Sequence, residues 1–227
     1  MDVKEILRHV DHTCLAPTAT WEDIQQLCDE AIEYGCASVC IPQTFIAQAA
    51  HYVADKAHYQ AEQLKICTVV GFPNGYTTPG IKCMETEFAV AEGAREIDMV
   101  INLGWVKSGQ YDKVLQEINS VFMSCHGSTL KVIIETALLT EEEKIKLCEV
   151  VSNSRADYIK TSTGFAGGGA TREDVALLVK HMTNGKKVKA SGGIATLEDA
   201  EAFLALGADR LGTSRIVKAV KAAEEKT

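Results

Sequence analysis

Short runs rich in valine, isoleucine and threonine alternate with longer amphipathic segments along the whole chain. The short runs are typical of strands and the amphipathic segments of helices. The predicted strands cover residues 8–14, 38–41, 65–71, 96–102, 130–136, 158–163, 187–193 and 209–214. The predicted helices cover residues 21–34, 44–56, 79–92, 111–124, 140–153, 171–182, 196–206 and 215–223. Because no linker or change of composition interrupts these units, we predict an α/β fold with a single (β/α)8 TIM barrel as one domain over residues 1–227.

The ends of the predicted helices carry recognisable signals. Several helices begin at a threonine that an acidic residue follows three positions later, and several end at a glycine. The threonines are Thr140, Thr171 and Thr196, and the glycines are Gly35, Gly93 and Gly207. An open doubly wound sheet is the alternative, but it normally has a glycine-rich loop after its first strand. The corresponding segment here, DHTCLAPT (11–18), contains no glycine.

Charge and composition limit the partners and the compartment. A formal net charge of −8 disfavours nucleic acid and anionic membranes as partners, but it leaves room for a small phosphorylated substrate. No apolar run has the length of about 18 residues that a membrane span needs. The first segment, MDVKEILRHVDH, has no apolar stretch of the kind found in signal peptides. The eight cysteines are scattered singly, so we expect them to be reduced and the protein to be cytoplasmic.

Three predicted strands place a charged residue between apolar neighbours. The charged residues are Asp98, Lys160 and Lys189. Side chains alternate across a strand, so each charge points away from the face that its neighbours occupy. If the neighbours pack against the helices, these three charges meet inside the barrel, near the strand ends where such barrels hold their active sites.

Two readings of this charged group are open. It is either a structural ion pair with a lysine that reaches solvent, or a reactive site. Two lysines against one carboxylate leave a positive charge without a buried partner, which costs several kcal/mol. A second ammonium group about 4–7 Å away disfavours the charged form of its neighbour by on the order of 2–4 kcal/mol. A neutral lysine can attack a carbonyl group and form a Schiff base.

Glycine-rich segments follow the sixth, seventh and eighth predicted strands. They are TGFAGGGAT (163–171), SGGIAT (191–196) and LGTSR (211–215). Loops after strands seven and eight, with a helix N-terminus, commonly bind phosphate in this fold, whereas tight packing of strand ends is the alternative explanation. The candidate substrate- and phosphate-binding residues are Thr163, Gly164, Gly192, Gly193, Gly212, Thr213 and Ser214.

The segment DHTC (11–14) brings together an aspartate, a histidine and a cysteine. A metal site is one interpretation, but no second cluster of histidines accompanies the segment. We instead expect Asp11 and Thr13 to orient polar groups below the site, and we expect no metal.

In order along the chain, these motifs resemble those of the deoxyribose-phosphate aldolase family. The matching segments are DHT (11–13), SVCIP (38–42), VVGFPNG (69–75), EIDMVIN (96–102), KVIIET (131–136), YIKTSTGF (158–165), VKASGGI (188–194) and LGTS (211–214). The resemblance covers essentially the whole chain. It implies a class I aldolase of deoxynucleoside catabolism that reversibly cleaves 2-deoxy-D-ribose 5-phosphate to acetaldehyde and D-glyceraldehyde 3-phosphate.

The resemblance also implies roles for individual residues. Lys160 would form the Schiff base, Lys189 would perturb it and take part in proton transfer, and Asp98 would donate and accept protons. No metal or organic cofactor is implied, and we expect a homo-oligomer, either a dimer or a tetramer. Some relatives end in a tyrosine that assists enamine protonation, whereas this chain ends in KAAEEKT, so we expect another group to serve.

Two other functions remain open at this point. Another Schiff-base aldolase or a transaldolase would share the lysine but act on a phosphorylated ketose. A non-catalytic barrel that binds phosphosugars is the second alternative, although it would have no need of Asp98, Lys160 and Lys189 together.

Overall fold

Eight parallel strands form a closed barrel in which each strand pairs with the next and β8 pairs with β1. The computed structural model describes residues 1–57 and 64–225. The strands are β1 (Val10–Thr13), β2 (Ser38–Ile41), β3 (Lys65–Val70), β4 (Glu96–Val100), β5 (Thr129–Ile133), β6 (Tyr158–Lys160), β7 (Lys187–Ser191) and β8 (Arg210–Thr213). The prediction of a TIM barrel is therefore confirmed.

Helices surround the barrel and connect successive strands. They are α1 (Val3–Leu7), α2 (Trp21–Tyr34), α3 (Ile46–Ala57), α4 (Pro79–Glu92), α5 (Leu103–Lys107), α6 (Tyr111–Ser124), α7 (Glu141–Asn153), α8 (Arg172–His181), α9 (Leu197–Ala205) and α10 (Ile216–Glu224). Two 3-10 turns, Gln43–Phe45 and Thr136–Leu138, follow β2 and β5. The last two residues of the KAAEEKT segment lie outside the described residues.

The predicted helix caps form as expected. Thr140 and Thr196 each accept a hydrogen bond from the backbone of an acidic residue that in turn accepts one from the threonine N–H. The side chain of Thr171 also caps the start of α8, by accepting a hydrogen bond from the N–H of Asp174. The sequence analysis did not predict the short helices α1 and α5. A five-residue helix shows too little periodicity to be recognised by pattern.

Strand β6 is shorter than predicted, because it ends at Lys160 and not at residue 163. The residues after Lys160 leave the regular ladder and make side-chain hydrogen bonds. The Thr161 hydroxyl donates to the Ser191 carbonyl oxygen at 3.1 Å, and the Thr163 N–H points to the carboxylate of Glu135 at 3.2 Å. The TSTG segment thus forms the rim of the barrel instead of its wall.

The apolar core lies between the strands and the helices. Ile97 and Met99 of β4 and Ile159 of β6 are fully buried in it, so the neighbours of the charged strand residues face outward as predicted. Burial of aliphatic side chains contributes about 25 cal/mol per Å² of apolar surface and dominates the stability of such a shell. Packing against the helices therefore stabilises the barrel wall, so the interior of the barrel can contain polar side chains.

The barrel interior is polar, unlike the branched aliphatic filling that is usual for this fold. The strand registers and the alternation of side chains arrange the inward residues in four layers, each contributed by alternate strands. From the amino-terminal end, the first layer is Ser38, Glu96, Tyr158 and Arg210, and the second is Asp11, Cys67, Lys131 and Lys189. The third layer is Cys40, Asp98, Lys160 and Gly212, and the fourth is Thr13, Val69, Ile133 and Ser191.

In the part of the chain that the structure describes, no helix is both long and apolar enough to cross a membrane.

Candidate active site

Asp98 lies at the centre of the charged barrel interior. Its Oδ2 atom accepts hydrogen bonds from Lys160 Nζ at 2.8 Å and from Lys189 Nζ at 2.7 Å. Its Oδ1 atom accepts from Lys131 Nζ at 2.8 Å and from the Cys67 thiol at 3.3 Å. Burial alone would raise the pKa of Asp98, but the three ammonium groups outweigh burial and hold it well below 3.8. Asp98 is therefore a carboxylate that three lysines share.

The two lysines of the second layer are fully enclosed. Lys131 contacts Glu96 at 2.6 Å and Asp11 at 3.6 Å in addition to Asp98, and Lys189 contacts both Asp11 and Asp98. Burial favours loss of their protons, but the surrounding carboxylates outweigh it and raise the pKa of both lysines. Lys131 and Lys189 are thus held in the protonated form beneath the site.

Asp11 connects this group to the amino-terminal end of the barrel. It accepts hydrogen bonds from the Ser38 hydroxyl at 2.7 Å and from Arg210 Nη1 at 2.6 Å, and it contacts Lys189. Burial opposes its ionisation, but these cations hold the pKa of Asp11 far below 3.8. It lies in the same layer as Lys131 and Lys189, one layer below Asp98 and Lys160. Thr13, by contrast, donates its hydroxyl to the Asp11 carbonyl oxygen at 2.8 Å and so fixes the strand end rather than a side chain.

Lys160 differs from the other two lysines in its exposure to the cavity. A cavity of about 580 Å³ opens at the carboxyl end of the strands, and Lys160 lines it whereas Lys131 and Lys189 do not. The lysine side chain is almost buried, with 5% of its surface exposed, so only its tip is available to a ligand. A molecule in this cavity would meet an amine whose hydrogen-bond acceptor is Asp98.

The end of β6 is held by a carboxylate that the sequence analysis did not single out. Glu135 is buried and accepts hydrogen bonds from the N–H and the hydroxyl of Thr163. Its backbone has a positive φ of 55°, which is uncommon for a residue other than glycine and is often found at functional sites. Both polar groups of Thr163 are therefore engaged, although Thr163 also lines the cavity.

Three of the predicted glycines form one side of the cavity. Gly164, Gly192 and Gly193 have φ values of 82°, 83° and 79°, so a side chain would strain each of these turns. The loop after β6 also packs tightly against the loop after β7. A Cβ atom on Gly169 would lie 2.5 Å from the carbonyl oxygen of Gly192. These contacts hold the two loops at the edge of the cavity.

Gly212 has different surroundings from those expected of a phosphate-binding loop. It lies inside β8, where it pairs with Asp11 and Ser191 in the barrel wall. A Cβ atom here would lie 2.9 Å from Ser191 Cβ and 3.1 Å from Lys189 Cε. Gly212 therefore provides the space through which the Lys189 side chain reaches Asp98.

The segment after β8 carries the remaining candidates and two further cations. Ser214 is exposed and lines the cavity just before α10. The Thr213 hydroxyl is used within the loop, since it donates to the Ile194 carbonyl oxygen at 2.8 Å and accepts from the Arg215 N–H at 3.1 Å. Arg215 and Lys218 also line the cavity, which makes this side electropositive. The amino-terminal end of a helix adds to the attraction of an anion.

The DHTC segment is divided between several environments. His12 Nε2 lies 2.8 Å from Glu30 Oε2, and Asp11 belongs to the charged interior. Among the described residues, the groups of three possible metal ligands are Cys40, Cys67 and Asp98, and Asp11, Cys67 and Glu96. Neither contains His12 or Cys14, and the carboxylates of both contact ammonium groups that would repel a cation.

The sequence analysis missed Lys131, Glu96 and Arg210. Lys131 lies between Leu130 and Val132, which is the same pattern that identified Asp98, Lys160 and Lys189. Glu96 and Arg210 begin their strands, so only one neighbour of each lies in the strand and the pattern is incomplete. Their presence changes the expected charge balance, because the interior holds more than one carboxylate.

Known proteins similar in sequence match this chain over nearly its whole length. Residues 6–215 match the model of the DeoC/LacD family aldolases. The deoxyribose-phosphate aldolase of Streptococcus pyogenes serotype M4 is 55% identical over 227 residues, which are 100% of this chain and 99% of that protein. That of Streptococcus agalactiae serotype Ia is 55% identical over 221 residues, which are 97% of this chain and 96% of that protein.

A solved structure agrees with the fold in detail. The tetrameric deoxyribose phosphate aldolase of Aeropyrum pernix superposes with a TM-score of 0.88 at 30% identity, covering 100% of this chain and 94% of that one. The resemblance found in the sequence motifs is confirmed, and so is the prediction that the protein is an aldolase. The chain belongs to the DeoC/LacD family of aldolases.

Proposed function

We propose that this protein reversibly cleaves 2-deoxy-D-ribose 5-phosphate to acetaldehyde and D-glyceraldehyde 3-phosphate through a Schiff base on Lys160. The observation that carries the assignment is the position of Lys160. Of the three lysines that contact Asp98, it is the one that lines the cavity. A nucleophile must reach its substrate, and Lys131 and Lys189 are enclosed below it.

Asp98 is the acid and base partner of Lys160 in this proposal. In the free enzyme it is ionised, so it accepts a proton first. Lys160 attacks the C1 aldehyde of the open-chain sugar, and the resulting carbinolamine loses water with help from Asp98 and Lys189. Lys189 lies 2.7 Å from the same Asp98 oxygen that contacts Lys160, so a proton needs only short transfers between the three groups.

Carbon–carbon cleavage follows from the iminium ion. Asp98, acting through a water molecule, removes the proton of the C3 hydroxyl group. The C2–C3 bonding electrons then move into the iminium, which leaves an enamine on Lys160 and releases glyceraldehyde 3-phosphate. Protonation of the enamine at C2 and hydrolysis of the imine release acetaldehyde and restore the amine.

The substrate phosphate binds, in this proposal, at the side of the cavity formed by the loops after β7 and β8. The flexible backbone of Gly192 and Gly193, the Ser214 hydroxyl and the start of α10 face the cavity there. Arg215 and Lys218 add positive charge that the sequence analysis did not assign to the site. A cavity lined by a reactive amine and by further cationic side chains suits a substrate that carries both an aldehyde and a phosphate.

Borohydride trapping tests the covalent assignment. Reduction in the presence of acetaldehyde should add about 28 Da to Lys160, the mass of a reduced ethyl group on the amine. Peptide mapping should find the adduct on Lys160, and a Lys160→Met variant should acquire none. An adduct on Lys189 would reverse the assignment of the two lysines. A hydroxyketone donor should form no adduct, and trapping with one would instead indicate a ketose aldolase.

We further propose that residues 1–227 act as one domain, that the protein is a homo-oligomer and that it works in the cytoplasm. Because all eight strands close into one barrel, urea should unfold the chain in a single cooperative transition. All eight cysteines are free thiols, which suits a reducing compartment, and cell fractionation would test this location. The A. pernix relative is a tetramer, which supports self-association.

A further inference from the structure

Seven charged side chains form one continuous series of contacts through the barrel interior. They are Lys160, Asp98, Lys131, Lys189, Asp11, Glu96 and Arg210. The series begins at the catalytic cavity with Lys160 and ends in the first layer with Glu96 and Arg210. Four of these groups are cations and three are carboxylates, so the network carries one positive charge in excess.

Lys160 has the fewest carboxylate contacts of the four cations in this network. In the described part of the chain, Lys131 contacts three carboxylates within 4.0 Å and Lys189 contacts two. Arg210 contacts two carboxylates, and a guanidinium group does not lose its proton in proteins. Lys160 contacts one carboxylate, Asp98, which it shares with both other lysines. Loss of a proton from Lys160 balances the network with the smallest loss of ion pairing.

We infer that Arg210 and Glu96, at the end of the barrel opposite the substrate, are positioning residues that set how readily Lys160 gives up its proton. The inference rests on the proposed role of Lys160 as the nucleophile. Arg210 supplies the fourth positive charge of the network. With it, the cations outnumber the carboxylates by one, so loss of one proton makes the network neutral. Glu96 acts in the opposite direction, because its negative charge allows the network to retain that proton.

The two positioning residues are remote from the substrate. Both line a separate cavity of about 320 Å³ at the amino-terminal end of the strands, together with Lys65 and Lys187. Neither lines the catalytic cavity. A change of charge at these positions therefore reaches Lys160 through the electrostatic field and not through contact with a ligand.

Other charged and titratable groups also face the network, and they are the same in the wild type and in the variants described below. Cys40 and Cys67 lie beside Asp98 on β2 and β3, and Glu135 is engaged with Thr163 at the end of β5. Arg215, Lys218, Glu30 and His12 line the catalytic cavity from β1, α2 and the start of α10. At the other end, Lys65 lies 3.9 Å from Glu96, and Tyr158 and Asp157 line the smaller cavity.

Two substitutions shift the charge balance in opposite directions. Glu96→Gln raises the excess from one positive charge to two, and Arg210→Met lowers it to zero. The acidic limb of the pH profile of kcat/KM reports the free enzyme, and it should move to lower pH in Glu96→Gln and to higher pH in Arg210→Met. At an effective dielectric near 20, each shift should be on the order of one pH unit. Arg210→Lys keeps the charge and should leave the limb near its wild-type position.

Opposite shifts separate an electrostatic role from a structural one. Damage to the barrel lowers kcat/KM but does not move the limb downward, so the downward shift in Glu96→Gln is decisive even if Arg210→Met fails to fold. Limbs that stay unmoved, or that move in the same direction in both variants, would overturn the inference. Borohydride trapping on the wild-type enzyme is run in parallel. Absence of a Lys160 adduct there defeats the proposed function itself, whereas an adduct with unmoved limbs defeats only the role of Arg210 and Glu96.

Discussion

Lys131 contacts all three carboxylates of the charged network inside the barrel. It contacts Glu96 at 2.6 Å, Asp98 at 2.8 Å and Asp11 at 3.6 Å, and its side chain is fully buried. Removing one partner of a buried ion pair leaves an uncompensated charge, which typically costs about 3–5 kcal/mol. Lys131→Met should therefore lower the free energy of unfolding by an amount in that range, measured by urea denaturation at pH 7.

Lys65 offers a matched control for this substitution. It also contacts Glu96, at 3.9 Å, but more than half of its side chain is exposed. Ion pairs at the surface contribute little, so Lys65→Met should leave the unfolding midpoint nearly unchanged. Equal losses of stability in the two variants would show that burial of the network does not determine its strength.

Ser214 tests the phosphate side of the cavity. An aspartate there would face the bound phosphate, and at about 4 Å with an effective dielectric near 20 the repulsion is on the order of 4 kcal/mol. Ser214→Asp should raise KM for deoxyribose 5-phosphate steeply and change activity on unphosphorylated deoxyribose little. Ser214→Asn, of similar size without the charge, is the control. Equal losses on both substrates in Ser214→Asp would mean that the serine only supports the barrel end.

Among single residues, those of the site that could be predicted from the sequence are the ones that the alternation of side chains along a strand identifies. The apolar neighbours of Asp98, Lys160 and Lys189 were enough to place these three charges inside the barrel. The number of partners of each charge depends on the stagger between strands, which the alternation does not contain. For that reason the argument that one lysine lacks a buried acid was incomplete: Asp11 and Glu96 are also inside, and so are Lys131 and Arg210.

At the scale of elements, Gly75 fixes the connection between β3 and α4. Gly75 has a φ of 72°, and a Cβ atom there would lie 2.0 Å from the backbone carbonyl oxygen of Ile101. Lys82 of α4 fixes the same turn, since its Nζ donates to the Gly75 carbonyl oxygen at 2.6 Å and to that of Val100 at 2.7 Å. Neither the turn nor the end of β4 can move without breaking these hydrogen bonds.

Replacement of glycine by alanine separates conformational strain from steric overlap. Gly35 ends α2 with a φ of 66° and has no atom within 4 Å of an added Cβ, so Gly35→Ala should cost only about 1 kcal/mol. Gly75→Ala adds a clash with rigid backbone and should be destabilised by several times that amount. Urea denaturation of both variants is the measurement, and similar losses would mean that the turn adapts to the extra carbon.

Local sequence signals predicted most elements well, and their limits have physical causes. Capping threonines and terminal glycines defined α7, α8 and α9 within a residue or two of their observed ends. The end of β6 was less predictable, because Thr161 has strand-like character but bonds to the backbone of Ser191 through its side chain. At the carboxyl ends of the strands, regular backbone pairing ends and the residues that follow form the site.

At the scale of the whole molecule, acid should weaken the fold in two stages. Burial lowers the pKa of His12 below 6.5 despite its hydrogen bond to Glu30. As the pH falls below 6.5, the unfolded chain takes up this proton before the folded one does, so stability falls by up to about 1.4 kcal/mol per pH unit. Burial would raise the pKa of Glu30, but hydrogen bonds from His12, Lys221 and Gln26 lower it from 4.5 to about 2. A second loss therefore begins below pH 4.5, where Asp11 and Asp98 add to it.

The first stage can be assigned by substitution. His12→Asn should lose less free energy of unfolding between pH 7 and pH 5 than the wild type, because it removes the buried imidazole. His51→Asn, at an exposed position on α3, should keep the wild-type slope. Urea denaturation at a series of pH values is the measurement. If His12→Asn keeps the full slope as well, another group is responsible for the first stage.

The proposed self-association needs a surface through which two copies pack, and α4 offers one. Ile81, Met84 and Phe88 are three and four residues apart on one face of this helix, and each is 45–64% exposed. Spacing of this kind makes a continuous apolar stripe, which suits packing against the same helix of a second copy.

Phe88→Glu should place a charge in the middle of this stripe and lower the native mass of the protein in sedimentation experiments. Leu138→Glu is the matched control, because Leu138 is also exposed, at 46%, but lies after β5 near the catalytic end of the barrel. The control should keep the wild-type mass. If Phe88→Glu keeps it too, the copies associate through another face; a wild-type protein that sediments as a monomer would exclude the homo-oligomer altogether. Since Phe88 lies outside the cavity, the dissociated variant should still form the borohydride-trapped adduct on Lys160, which would show that each barrel holds a complete site.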